Sequence, residues 1–153
     1  MGRRHLSLGA ALGAALALAA PASAGIHWSE LVRGSASGVQ STPVAFVAID
    51  RASTARFAAR LPAAGGAALA RIDFARSAAV AVFGEFGCED HRVAVTSIVQ
   101  HGARLVVSMV LRPLAPGTME CMALFETYRL LAVSKTALRR PYPTSAEAVL
   151  ARA

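Results

Sequence analysis

Cys88 and Cys121 are the only cysteines in the 153-residue chain, and the densest polar cluster surrounds the first of them: Glu85, Glu89, Asp90 and His91. Carboxylates, an imidazole and a thiolate in one short stretch are the groups from which a metal site or an acid/base centre is built. The spacing argues against both. No two of these residues stand at an established zinc-ligand interval. No second carboxylate or nucleophile is held against them by a defined element. A thiol enzyme using Cys88 or Cys121 with His91 would need a free thiolate, whereas the leader described below sends the pair to an oxidising compartment. There a lone cysteine pair forms a structural disulfide. The cluster therefore reads as a solvated loop pinned by a Cys88–Cys121 bridge, with Glu85, Glu89, Asp90 and His91 as candidate binding groups. No catalytic residue, no metal and no cofactor is expected.

Other chemistry-bearing residues point nowhere specific. Gly34-Ser35-Ala36-Ser37-Gly38 has the outline of a serine-hydrolase elbow, but Ala36 occupies the nucleophile's place and the strand-turn-helix context is missing. His27-Trp28 reads as local packing near the start of the exported chain. His101 reads as a turn residue.

The elements that must position these residues begin after a leader. Arg3 and Arg4 form a positive n-region, Leu6 to Ala20 is uncharged and rich in Ala and Leu, and Pro21 precedes Ala22-Ser23-Ala24. These are the three zones of a secretory signal peptide, with cleavage expected after Ala24. The apolar run is shorter than the roughly 20 residues that span a bilayer, so no stable membrane insertion is expected once the leader is gone. The chain carries a net charge of +7, which falls to +5 without Arg3 and Arg4. Its arginines are scattered along the sequence, and Lys135 is the only lysine. A nucleic-acid surface calls for clustered charge with interleaved aromatics, so nucleic acid is not an expected partner.

Residues 25–43 read as an exposed lead-in, 44–136 as a single β-rich domain and 137–153 as a tail or short helix. Val44 to Ile49 suits a buried strand, and Ser53 or Thr54 caps a helix running to Leu61, ended by Pro62 and Gly65-Gly66. Strands follow at about 78–84, 92–100, 104–112 and 122–133. His101-Gly102 supplies a two-residue hairpin turn, placing Ile98 opposite Leu105 and Thr96 opposite Val107. Thr144-Ser145-Ala146-Glu147 has the form of a capping box opening a short C-terminal helix. The expected fold is α+β, a mostly antiparallel meander of four to five strands with one helix on its N-terminal side. In such a meander the connections holding Cys88 and Cys121 emerge at one end of the sheet, about 10 Å apart. Closing a loop of that size adds about 3 to 4 kcal/mol by the chain-entropy estimate.

The runs Ile72-Asp73-Phe74, Val80-Ala81-Val82-Phe83-Gly84-Glu85, Val93-Ala94-Val95-Thr96-Ser97-Ile98 and Thr127-Tyr128-Arg129-Leu130-Leu131-Ala132-Val133-Ser134-Lys135 together resemble the PrcB C-terminal-like domain of the protease complex subunit PrcB family. The resemblance spans about residues 72–136. It implies an exported, mostly β module without catalytic activity, of the kind that serves as an accessory subunit of a surface protease complex. Where members carry Gly-Gly-Tyr before the second strand, this chain has Gly87-Cys88-Glu89-Asp90-His91. The expectation is thus a secreted or periplasmic protein-binding or stabilising module whose partner is another exported protein. The alternative is an exported protein that binds a small ligand or a metal.

Overall fold

The computed structural model describes residues 25–36, 42–86, 92–118 and 126–152. Among them are seven strands and one α-helix: β1 (Trp28–Ser35), β2 (Val44–Ala48), α1 (Ala63–Ala70), β3 (Ser77–Gly84), β4 (Val93–His101), β5 (Arg104–Leu111), β6 (Thr127–Ser134) and β7 (Ser145–Arg152). The fold is α+β with the sheet predominant, in agreement with the sequence reading. Residues 28–35, read as lead-in, form β1, and 145–152 form β7, so both ends belong to the same domain.

The strands do not form one meander. A four-stranded antiparallel sheet has the order β1-β6-β3-β2, and a three-stranded sheet has the order β4-β5-β7. The division follows from β3, whose sequence SAAVAVFG is apolar at successive positions and buried from Ala78 to Gly84. A strand apolar on both faces must lie inside its sheet with a layer on either side. β3 satisfies this by pairing β2 and β6 along its two edges. Ala78, Val80 and Val82 face a core shared with Ile98, Leu105, Val107 and Met109 of the second sheet. Ala79, Ala81 and Phe83 face Phe57, Leu69 and Ile72 of the helical layer.

That layer also differs from the expectation. Ser53 to Leu61 does not form an α-helix: two 3-10 turns, Ala52–Arg56 and Ala58–Arg60, occupy the stretch. Ser53 Oγ accepts from the amides of Ile49 and Asp50 instead of capping a helix below it. The α-helix starts after Pro62 and runs through Gly65-Gly66, the pair expected to end a helix. Gly65 is required there because the Tyr128 ring lies where a Cβ would stand, 2.9 Å from Cε2.

The β4-β5 hairpin turns one residue later than expected. Gly102 and Ala103 form the loop, Gly102 takes φ +59°, and His101 pairs with Arg104 as the last residue of β4. Glycine at the first central position is what a II′ turn demands, whereas a His101-Gly102 loop would place His first. Ile98 consequently pairs with Val107, not Leu105. Ile98, Leu105 and Val107 stay on one buried face, but a bulge between Val95 and Ser97 leaves Thr96 exposed and turns Val93 and Val95 toward the core.

The C-terminal segment is a strand, not a helix. β7 runs parallel to β5, from Ser145 opposite Arg104 to Arg152 opposite Leu111. The amides of Thr144 and Ser145 donate to Ala103 O, which starts the pairing where a capping box would have started a helix. Ala146, Ala148 and Leu150 pack toward the core while Glu147 and Val149 face out, the period of two that marks a strand.

Candidate functional site

The two sheets share an end from which the connections after β3 and before β6 depart. Gly84 and Thr127 are direct partners in the β3-β6 ladder, and Thr127 Oγ1 donates to Gly84 O at 3.4 Å. On the second sheet Arg112 N donates to Arg92 O at 3.0 Å, and Arg92 Nε donates back to Arg112 O at 2.7 Å. The connection 85–91 therefore starts beside the finish of the connection 113–126 on one sheet and ends beside its start on the other. Glu85 stands at the root of the first, partly buried, and is followed by the buried Phe86, whose ring closes over Gly84. Cys88, Glu89, Asp90, His91 and Cys121 lie outside the described residues. Of the sequence-derived candidates, only Glu85 is placed.

Beneath the root of the second connection lies a polar pair that the sequence reading missed. Arg60 Nη2 donates to Glu126 Oε1 at 2.7 Å, and the Glu126 side chain is 2% exposed. The guanidinium lies 4.3 Å from the Phe83 ring centroid and 5.6 Å from that of Phe46. It is thus held between a carboxylate and the negative faces of two rings. Phe46, Phe57, Phe83 and Tyr128 form the surrounding aromatic wall, with centroid separations of 6.0 to 6.5 Å. Glu126 O also accepts from Ala36 N, so the same residue fastens the end of β1. Glu126 Oε2 has no hydrogen-bond partner among the described residues. One sequence signal could have found this residue: Glu126 is the lone acid in Ala123-Leu124-Phe125-Glu126-Thr127-Tyr128, and a charge inside an apolar run is almost never buried unpaired.

A second pair crosses the β1-β6 ladder. Arg129 is 2% exposed, and its Nη1 donates to Glu30 Oε2 at 3.1 Å, with Arg33 reaching Glu30 Oε1 at 3.5 Å. These contacts stitch the edge strand to its neighbour. Neither pair brings a hydroxyl or thiol nucleophile beside a base in hydrogen-bond contact, the arrangement that nucleophilic catalysis needs. Among the described residues no three His, Cys, Asp or Glu side chains gather at one point. Trp28 packs against the inter-sheet core and His27 is exposed, so that dipeptide begins β1 instead of forming a site. No helix among the described residues is long and apolar enough to cross a membrane.

Comparison with known proteins found no matching family model, no matching curated protein and no matching solved structure. In the arrangement above, buried charges tie strand ends together beneath two adjacent connections.

Proposed function

We propose that this chain is an exported, non-catalytic module that holds another exported protein at the connection-bearing end of its two sheets. The observation that carries the reading is the double pinning of the stems, Gly84 to Thr127 on one sheet and Arg92 to Arg112 on the other. Loops on a rigid scaffold are where recognition usually resides. Stems fixed at both ends lower the ordering cost of binding. The resemblance of residues 72–136 to the PrcB C-terminal-like domain supports an accessory role beside a larger exported protein.

The same stems favour a Cys88–Cys121 disulfide. Cys88 is four residues from Gly84 and four from Arg92, and Cys121 is six residues from Thr127. Each residue of extended chain spans at most about 3.5 Å, and connections of these lengths on neighbouring stems allow the two cysteines to meet. The bridge would make the two connections a single surface with Glu85, Glu89, Asp90 and His91 along it. Bridged in this way, the cysteines serve stability, not redox chemistry.

A photoreactive residue in place of Glu85 tests the proposal in the cell envelope. Capture of one defined protein at that position, and not from a probe at Arg33 on β1, is the expected result. Equal capture at both positions, or turnover of a small substrate by the purified chain, would contradict it.

A further inference from the structure

Arginines that are scattered in sequence are gathered in space. The end opposite the connections is built from the ends of β2 and β6, the starts of β1, β3 and β7, and the β4-β5 turn. It carries eight basic residues: Arg51, Arg56, Arg71, Arg76, Arg104, Lys135, Arg139 and Arg140. Contacts within the fold fix them there. Arg51 Nη2 donates to Ala70 O, Arg56 Nη1 to Thr144 O, and Lys135 N to Arg76 O, while Arg139 N donates to Gln100 Oε1 beside the hairpin turn. All but the partly buried Lys135 are exposed. Among the described residues Asp50, Asp73 and Glu147 oppose them, leaving this end at +5. Residues 25–153 as a whole also carry +5, because the other six basic and six acidic residues cancel. Among the described residues this end carries the larger share, +5 against +3 for the rest of the fold.

Two further features single out the class of partner. Trp28 and Tyr142 sit at this end partly exposed, Tyr142 with Lys135 and Arg140 against its ring at 5.7 and 5.0 Å. Indole and phenol rings with one apolar and one wet side favour the level of lipid headgroups. The leader also joins the domain here: exposed Gly25 precedes Ile26, whose amide donates to Ile98 O at 2.8 Å, and β1 then starts opposite Val133 near the end of β6. An Ala- and Leu-rich leader lodged in a membrane would hold this end against the bilayer. The charges ring the end on separate elements, a pattern suited to a plane of phosphates more than to the few deep anchors of a protein interface.

We propose that this basic end docks on the phosphate headgroups of an anionic bilayer, as a peripheral contact that survives removal of the leader. The proposal is independent of the reading of the opposite end. It would leave the loop-bearing end facing away from the membrane, toward a partner.

The test uses the full chain and vesicles of phosphatidylcholine with or without about one third phosphatidylglycerol at about 0.1 M salt, where exposed charges are screened beyond about 10 Å. The readout is the ratio of partitioning to the two vesicle types, in which any contribution of an uncleaved leader cancels. Each Arg near an anionic surface contributes about a fivefold factor. The triple variant Arg71→Gln, Arg76→Gln, Arg139→Gln is therefore expected to lower the ratio about a hundredfold. The matched triple Arg33→Gln, Arg112→Gln, Arg152→Gln, away from this end, is expected to change it less than about fivefold. Single substitutions at Arg71, Arg76 and Arg139, each expected to cost about fivefold, serve if the triple does not fold. A wild-type chain without preference for anionic vesicles, or equal losses in the two triples, would overturn the proposal.

Discussion

Arg60 and Glu126 are 66 residues apart in the chain and 2.7 Å apart in the fold. Arg60 retains 27% exposure of its side chain and Glu126 only 2%. The two ends of the pair therefore respond differently to loss of the partner. Arg60→Met strands a carboxylate away from water and is expected to cost about 3–5 kcal/mol, the range for breaking a buried pair. Glu126→Gln leaves a guanidinium that can turn to solvent and is expected to cost about 1–2 kcal/mol. Urea unfolding of both variants measures the asymmetry. Equal losses, or the reverse order, would show that Glu126 is not confined as described.

Gly65 and Tyr128 make a second falsifiable pair. A Cβ at position 65 would stand 2.9 Å from Tyr128 Cε2 and 3.1 Å from Leu61 Cβ. In an open helix Gly→Ala stabilises by about 1 kcal/mol. Here overpacking is expected to outweigh that gain and Gly65→Ala to destabilise by about 1–2 kcal/mol. In a Tyr128→Leu background the same substitution should become neutral or stabilising. A double-mutant cycle with no coupling would contradict the close approach.

The period of β7 can be tested one residue at a time. Leu150 packs toward the core and Val149 is 44% exposed. Leu150→Asp is expected to cost more than about 3 kcal/mol, through an unpaired buried carboxylate, and Val149→Asp less than about 1 kcal/mol. Thermal unfolding distinguishes them. Similar losses at both positions would contradict a strand with one wet face.

Asp50 provides a pH-dependent readout. Its carboxylate accepts from Ser53 N at 2.7 Å and from Ser53 Oγ at 2.8 Å. The Ser53 amide bond, then its hydroxyl, hold the Asp50 pKa below the ordinary 3.8, with Lys135 adding a smaller pull in the same direction. A carboxyl depressed in the folded state stabilises it above the unfolded value, and the contribution is lost as pH falls through the folded value. The effect therefore lies below about pH 4. Ser53→Ala is expected to move the Asp50 titration upward toward 3.8, followed by NMR of the carboxyl carbon. An unchanged midpoint would contradict the Ser53 contacts.

Parts of this fold were legible in the sequence for clear physical reasons. The unbroken apolar run of β3 demanded cover on both faces, and the period of two on either side of Gly102 demanded a hairpin. Both elements are present. Sheet membership was not legible, because β3 and β4 are adjacent in sequence yet answer to different partners, β6 and β5. Residues 145–152 were ambiguous, since Ser-Ala-Glu-Ala fits a capped helix as well as a strand, and pairing with β5 decided between them. Gly65-Gly66 looked like a helix stop because the Tyr128 ring that makes glycine necessary comes from 63 residues away. The Arg60–Glu126 pair and the basic end share that cause: both are assembled from residues distant in the chain, so the lone acid at Glu126 signals burial without naming its partner, and the basic end leaves no local pattern.

The central claim is an exported module whose two neighbouring connections are joined by sulfur. Mass mapping of protein recovered from the cell envelope, alkylated before digestion, tests it directly. The expected result is a chain that begins at Gly25 and a single linked peptide pair containing Cys88 and Cys121. Two alkylated thiols on a chain that still carries residues 1–24 would contradict it.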